Sequence, residues 1–366
     1  MTRDVEDRLR DAFAAGAELV SPQSLKATGT PAAVRPRRGV RGLPVLAAAS
    51  VAVVLGAVAI VPSLLGSSAA PPGGSAEAPT RFTAVVDALA RRAEQPRAYW
   101  RSESETLTWG RPAKQAYNIE DSVRRVFWST PRGPAVETTP LYTRPDTAAD
   151  ERKWRAAGAP DLCGFQVGCE GVRDRRGRAD YHFPKGFEIG GVSLTRAQFL
   201  ALPQDPRRLE AELLRLQAPT HQESTGPSGS FVKQYSEQDT LWLMGEGILM
   251  NTPAPPAVRA AALRMMAALP GARTVDQARD ADGRTGMAIV RKVDRDPLER
   301  RLVIDRSSGD VLGTTTLVAG PLPESAGLEV GDMAAAQVVR ALGWTGDGPR
   351  LPEGCVQQAG KTCVGS

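Results

Sequence analysis

The feature that most constrains this chain is an uninterrupted apolar run at residues 43–65, which contains no charged side chain. As a helix with a rise of about 1.5 Å per residue, it extends about 34 Å, enough to cross the hydrocarbon core of a bilayer. Pro44 and Pro62 lie near its two ends, where the loss of a backbone donor is easiest to tolerate. The run predicts a single transmembrane helix, with the lipid bilayer as its partner.

Positive charge is distributed asymmetrically around this run. The arginines that closely precede it are Arg35, Arg37, Arg38 and Arg41. After the run, the next cation is Arg81. Because positively charged flanks stay in the cytoplasm, this asymmetry predicts a cell-membrane protein with a cytoplasmic N-terminus and an extracytoplasmic C-terminal domain. A cleaved signal peptide is the alternative: Ser67 and Ala69 suit cleavage, but such a peptide has a shorter charged region and a shorter apolar core.

The apolar run divides the rest of the chain into a tail, a linker and a domain. Residues 1–42 are the predicted cytoplasmic tail, in which residues 1–20 carry an apolar stripe at helical spacing and residues 21–42 are a linker. Such an amphipathic helix either lies on the inner membrane surface or binds a cytoplasmic regulatory partner. Residues 66–78 are rich in Gly, Pro, Ser and Ala and predict a second linker, and residues 79–366 predict the folded extracytoplasmic domain.

All the cysteines follow the apolar run, and they form two locally spaced pairs, Cys163 with Cys169 and Cys355 with Cys363. An even count confined to the outer side is typical of disulfides formed in an oxidising compartment. Four cysteines can form two disulfides in three different ways. The short loops favour the way that joins Cys163 to Cys169 and Cys355 to Cys363. A zinc site fits less well, because the spacing lacks a C-x2-C element.

The outer domain begins with a predicted helix, which Thr80 can cap and which Gln95-Pro96 ends. Strand-like segments follow it, and the chain then becomes helical again. The strand-like segments are residues 99–109, 118–128 and 134–143. A capping box at Thr195 and Gln198 then predicts the start of a helix. Further helices are predicted from Pro206, over residues 232–250, and from Pro255 to Gly271.

Strand patterns return after this helical segment. They cover residues 287–290, 302–305 and 311–318, and the last two predict a hairpin around a glycine-containing turn. Residues 333–344 are apolar enough for either a strand or a helix. Strands, then helices, then strands predict an α+β fold: an antiparallel sheet with a central helical segment.

Several short motifs carry a family resemblance. They are Leu269-Pro270-Gly271, residues 282–286, residues 302–305, residues 308–313 and the arginine-rich stretch before the apolar run. Together they resemble a family of uncharacterised actinobacterial single-pass membrane-anchored proteins, some encoded near extracytoplasmic-function sigma factors. The resemblance implies no active site. The strand–helix–strand order is also similar to curved-sheet lipoprotein carriers and envelope sigma-regulator domains, an analogy of fold alone.

Residues that could carry chemistry are few. The two histidines, His182 and His221, have no second ligand at metal spacing. Ser230 and Lys233 match the S-x-x-K pattern of penicillin-recognising enzymes, but the companion elements of that family are missing. We therefore expect no catalytic residue, no cofactor and no metal. The net charge of +5 is small and scattered, so a nucleic-acid partner is not expected either.

These observations predict a non-enzymatic protein of the cell envelope whose outer domain binds or senses an unidentified external ligand. Two alternatives stay open. One is a carrier for a lipid or other apolar molecule, held between a curved sheet and the helices of residues 232–269. The other is an envelope hydrolase whose carboxylate pair is not visible in sequence spacing.

Overall fold

The computed structural model describes residues 78–112, 115–162, 177–217, 235–294 and 296–364. All of them belong to one compact unit, Gly66–Ser366. No helix within these ranges is long and apolar enough to cross a membrane. The predicted tail helix at residues 1–20, the apolar run at residues 43–65 and the orienting arginines lie outside the described residues.

The described residues form twelve strands and six helices. The strands are β1 Tyr99–Gly110, β2 Ile119–Thr130, β3 Gly133–Pro145, β4 Asp180–His182, β5 Phe187–Ile189, β6 Val192–Leu194, β7 Arg273–Arg279, β8 Thr285–Lys292, β9 Leu298–Ile304, β10 Val311–Val318, β11 Met333–Thr345 and β12 Thr362–Val364. The helices are α1 Ala78–Arg91, α2 Ala148–Ala156, α3 Arg196–Leu200, α4 Pro206–Gln217, α5 Glu237–Met250 and α6 Pro256–Ala268. A single 3₁₀ turn occupies Glu324–Ala326.

Ten of the strands form one sheet in the order β12-β4-β3-β2-β1-β11-β10-β9-β8-β7. Every neighbouring pair in it is antiparallel. The long pairing of β1 with β11 joins the strands that precede the helices to the strands that follow them. The predicted α+β class is confirmed, and residues 333–344, which fitted a strand or a helix, lie in β11.

Helices α5 and α6 cover one face of the sheet, called here the inner face. Because successive side chains of a strand point to opposite faces, Met287 and Ile289 of β8 and Leu302 and Ile304 of β9 meet these helices in one buried cluster. Ala288, on the opposite face of β8, belongs to a separate apolar cluster. Fully burying a side chain the size of Met, Ile or Leu stabilises the fold by about 1.5–3 kcal/mol.

A buried ion pair fixes α5 on the sheet. Ser236 caps the helix by accepting a hydrogen bond from the Asp239 backbone N–H. The Asp239 carboxylate in turn accepts a 2.5 Å hydrogen bond from Nη1 of Arg291 on β8, and the two side chains are only 2% and 4% exposed. Arg291 also contacts Asp294 at 2.7 Å and donates to the Pro270 carbonyl. The charges are therefore satisfied although they are buried, as such pairs require.

The predicted hairpin of residues 302–305 and 311–318 is confirmed as β9 and β10. The Asp305 carboxylate accepts hydrogen bonds from the backbone N–H groups of Ser307 and Ser308, which fixes the start of the turn. Gly309 then adopts φ +74°, a left-handed conformation that glycine accepts without strain.

The C-terminal segment closes the other edge of the sheet. Cys355 and Cys363 form a disulfide with their Cα atoms 5.9 Å apart, which confirms one of the two predicted pairs. Gln357 donates from its side chain to the Gly133 carbonyl, and β12 pairs with β4. The segment is thus held covalently and by hydrogen bonds. The other predicted pair, Cys163 with Cys169, lies outside the described residues.

Candidate functional site

The inner face changes character abruptly along the sheet. Residues paired directly across neighbouring strands share a face, so a line of such partners forms a row across it. One row on the inner face runs from β8 to β2 through Ile289, Leu302, Thr314, Gln337, Thr106 and Val123. The row is apolar on β8 and β9 beneath the helices, and it becomes polar at β10.

The next row of the inner face is polar along almost its whole length. It comprises Arg291, Arg300, Thr316, Ala335, Thr108, Asp121 and Thr143. Arginines occupy the end that lies nearest α5, and an acidic residue lies toward the other end. Ala335, at the centre of the row, has its shortest side chain, so the side chains there extend least far from the sheet.

The polar residues of these two rows define a surface that we call the polar groove: Thr106, Thr108, Thr314, Thr316 and Gln337. All five are half-buried, so each keeps partial access to solvent. The Gln337 Nε2 donates a 2.7 Å hydrogen bond to the Ser104 hydroxyl, which fixes the orientation of the amide. Hydroxyl and amide groups both donate and accept, and the groove therefore suits a polar ligand.

The groove continues on β1 and β2 into a buried polar floor. Ser102 and Ser104 are almost completely buried, and Ser104 is paired with Arg125 of β2. Burial lowers the pKa of the Arg125 guanidinium. In the neighbouring row, the Asp121 carboxylate accepts a 2.9 Å hydrogen bond from the Thr143 hydroxyl. Buried polar groups on this scale are uncommon in a sheet face and mark it as distinct from an ordinary core.

Glu246 of α5 and Arg300 of β9 form the opposite border of the polar groove, where the groove meets the helices. The Trp242 Nε1 donates a 2.7 Å hydrogen bond to Oε1 of Glu246. Burial raises the pKa of the Glu246 carboxyl, while the charge of Arg300 and the Trp242 hydrogen bond act in the opposite direction. This border therefore places a carboxyl of raised pKa beside a guanidinium.

Two of the acidic residues of α5, Asp239 and Glu246, differ in how they interact with the arginines of the sheet. Asp239 and Glu246 are seven positions apart, so they lie on the same side of the helix, and they approach Arg291 and Arg300, which are direct partners on β8 and β9. Arg291 is fully ion-paired with aspartates. Arg300 interacts with Glu246 through charge, but its Nη1 is buried and has no hydrogen-bond partner.

The acidic residues beside the groove can be compared with the geometry that metal and hydrolase sites need. Within the described residues, no group of three or more His, Cys, Asp or Glu side chains could hold a metal ion. Glu246 and Asp121 border the groove on opposite sides, with strands β10, β11 and β1 between Arg300 and Asp121. A glycosidase-type pair needs carboxyl groups about 5–9.5 Å apart across one reacting bond. These two carboxylates therefore do not favour the hydrolase alternative.

The sequence-predicted chemical candidates are dispersed. His182 lies at the end of β4, near the sheet edge, and is exposed. His221, Ser230 and Lys233 lie outside the described residues. No protein-family model matches the chain, and no curated protein is significantly similar to it. The resemblance to actinobacterial membrane-anchored proteins stays a prediction.

The groove residues were not singled out by sequence reasoning, although β1 contains a signal for them. Along β1, Ser102, Ser104, Thr106 and Thr108 occupy every second position, so hydroxyl groups line one face of the strand. A period of two in hydroxyl residues, rather than in apolar ones, indicates a polar face. The contribution of Thr314, Thr316 and Gln337 depends on strand pairing, which the sequence does not reveal.

Proposed function

We propose that this chain is a membrane-anchored binding or sensing protein of the cell envelope, without enzymatic activity. In this proposal residues 43–65 span the bilayer and the sheet domain lies outside the cytoplasm. The polar groove binds an external polar ligand. Residues 1–20 contact a regulatory partner in the cytoplasm, so that occupancy of the groove can be signalled across the membrane.

The observation that carries the proposal is the polar character of the groove beside an apolar core. Thr314 and Leu302 are direct partners on neighbouring strands, yet Leu302 is fully buried under the helices and Thr314 keeps access to solvent. A polar group that leaves water without a new partner loses free energy, so such groups collect where water or a polar ligand contacts them. A row of them across several strands is suited to ligand recognition.

The carrier alternative is less well supported by the packing. It requires an apolar cavity between the sheet and the helices of residues 232–269. The side chains of Trp242, Met244 and Met266 are instead fully buried in the same cluster as Ile289 and Leu302 of the sheet. Helix and sheet therefore meet in a packed core, and the accessible part of the inner face is polar.

The topology of the proposal is tested with reporters fused after Ser366 of the full chain. Alkaline phosphatase, which needs an oxidising compartment, is expected to be active there, and green fluorescent protein is expected to be dark when exported through the general secretory route. The reverse result would place the domain in the cytoplasm. A pull-down with residues 1–42 as bait tests the tail, and retention of no partner above a scrambled-sequence control would remove signalling from the proposal.

The ligand-binding part is tested by native mass spectrometry of the full chain, extracted from its own membranes in a non-ionic detergent. We expect a co-purifying polar small molecule with wild type, and its loss in Thr314→Val and Gln337→Leu. Thr315→Val is the matched control, because Thr315 lies next in the same strand and points to the opposite face. Retention of the same ligand by the groove variants would contradict the assignment of the groove.

A further inference from the structure

Arg300 of β9 differs from two other arginines of the described residues, Arg291 of β8 and Arg259 of α6, both of which form ion pairs. Arg291 meets Asp239 and Asp294, and Arg259 meets Glu94 and Asp310. Arg300 forms no such ion pair within the described residues, and its Nη1 is shielded from solvent without a hydrogen-bond partner. A buried guanidinium nitrogen left unpaired is energetically unfavourable unless another acceptor reaches it.

The position of Arg300 connects it to the polar groove. Its direct partner on β10 is Thr316, a groove residue, and Ala335 follows Thr316 in the same row. Ala335, whose side chain is the shortest in the row, lies between Thr316 and Thr108. A ligand lying along this row therefore has hydroxyl groups beneath it and a guanidinium at one end.

We infer that Arg300 is the anchor for an oxyanion, a carboxylate or a phosphate, carried by the polar ligand that the groove binds. This inference rests on the proposed function and names the chemical class of its ligand. The planar guanidinium offers paired N–H donors that match two oxygens of a carboxylate or phosphate. The Thr316 hydroxyl, on the neighbouring strand, supplies a further donor to the same group.

Glu246 is the internal competitor for this anchor. Its carboxylate is held near Arg300 by the Trp242 hydrogen bond, and the opposite charges attract each other without forming an ion pair in the structure. A ligand oxyanion must share or displace that attraction when it binds. At a pH where Glu246 is ionised, removing its charge therefore strengthens oxyanion binding, whereas removing the charge of Arg300 weakens it.

The test is isothermal titration calorimetry on the full chain in non-ionic detergent micelles at constant ionic strength. The probes are inorganic phosphate, D-glucuronate as a carboxylate-bearing polar molecule, and D-glucose as its neutral counterpart. We expect wild type to bind phosphate or glucuronate more tightly than glucose. Arg300→Gln is expected to weaken oxyanion binding at least tenfold. In titrations repeated at increasing pH, Glu246→Gln is expected to tighten binding by about tenfold once the wild-type carboxyl is ionised, since one opposing charge is removed.

Arg301→Gln is the matched control. Arg301 is the next residue of β9, points to the opposite face and pairs with Glu299 at 2.8 Å, so its loss changes net charge equally without touching the groove. Binding by this control at the wild-type level supports the inference. Binding of phosphate alone identifies a phosphate-bearing ligand, and binding of glucuronate alone identifies a carboxylate-bearing one.

Three outcomes overturn the inference. They are failure of wild type to bind either oxyanion, unchanged binding in Arg300→Gln, and weaker rather than tighter binding in Glu246→Gln. Each is distinguishable from failure of the proposed function. If the reporter fusions and the dependence on Thr314 and Gln337 hold while the oxyanions do not bind, the groove recognises a neutral ligand.

Discussion

The helix-covered part of the inner face and the polar groove are built on one continuous sheet, and the same alternation of side chains produces both. On β8 and β9 the inward positions are Met, Ile and Leu, apart from Arg291 and Arg300 at the border, and helices α5 and α6 pack on the apolar ones. In the two rows of the groove, the inward positions on β10, β11 and β1 are Thr, Gln and Ala335, and they stay half-buried. Ser102 and Ser104, further along β1, form a buried floor to which Gln337 is hydrogen-bonded. The two regions therefore have the same strand structure and differ only in the chemistry of their side chains.

This difference separates stability from recognition within the sheet. The apolar side removes large side chains from water, which is the main favourable term in folding. The polar side contributes less to folding, because its groups exchange one set of hydrogen bonds for another. Substitutions on the two sides should therefore differ in kind: on the apolar side they change the free energy of unfolding, and on the polar side they change ligand binding.

The largest expected effect comes from the buried pair that docks α5. Asp239→Ala leaves the buried Arg291 with Asp294 as its remaining ion-pair partner, and we expect the free energy of unfolding to fall by about 3–5 kcal/mol. Urea unfolding of the full chain in non-ionic micelles, followed by tryptophan fluorescence, measures the change. The double variant Asp239→Leu with Arg291→Met is the control, since replacing both charges should recover most of the loss. A loss as large in the double variant would mean that packing, not charge, holds α5.

A smaller change in stability is expected when one residue of the helix-covered part is compared with its partner in the polar groove. Leu302 and Thr314 are cross-strand partners, one fully buried and the other half-buried. Leu302→Ala opens a cavity in the core and should destabilise the fold by about 2–4 kcal/mol, whereas Thr314→Ala should lose less than about 1 kcal/mol. The same unfolding experiment measures both. Equal losses would show that Thr314 belongs to the packed core.

Glu246, which lies between the helix-covered part of the inner face and the polar groove, should make the free energy of unfolding depend on pH. Because its pKa in the fold is raised above the ordinary value of 4.5, the native state binds the proton more tightly than the unfolded chain does. Stability therefore falls as pH rises from about 4.5 through the raised pKa, with a slope of at most about 1.4 kcal/mol per pH unit for one proton. Glu246→Gln removes this contribution. The measurement is the unfolding free energy of wild type and of Glu246→Gln at several pH values across that range. The difference between the two proteins should become smaller as the pH falls. A difference that does not depend on pH would contradict the raised pKa.

Much of the architecture follows from local sequence patterns. The strands near residues 99–109, 118–128, 134–143 and 302–318 and the capping box of Thr195 were predictable, because each depends on residues close in sequence. Helix α2, Ala148–Ala156, was not predicted: it is short and largely polar, so its apolar periodicity is weak. Strand β12 was not predicted either, because it forms only through pairing with β4 and attachment by the disulfide.

The candidate site was less predictable than the fold, for a physical reason. The hydroxyl repeat of β1 is visible in the sequence, but its neighbours on β11 and β10 come from residues more than two hundred positions later in the chain. The charge relation between Glu246 and Arg300 likewise depends on how α5 lies on β9. Rows across an antiparallel sheet are set by register, and register is fixed by the complete fold.

The smallest expected effect is the sharpest test of the boundary. In the double variant Thr106→Val with Thr314→Val, each substitution keeps the side-chain shape and removes a hydroxyl that flanks Gln337. Because both threonines keep access to solvent, the free energy of unfolding should change by less than about 1 kcal/mol in either direction. Urea unfolding should show an unchanged slope, while native mass spectrometry shows loss of the bound ligand. Strong destabilisation would instead make the threonines part of the structural core, and the groove would then need a different explanation for its polar residues.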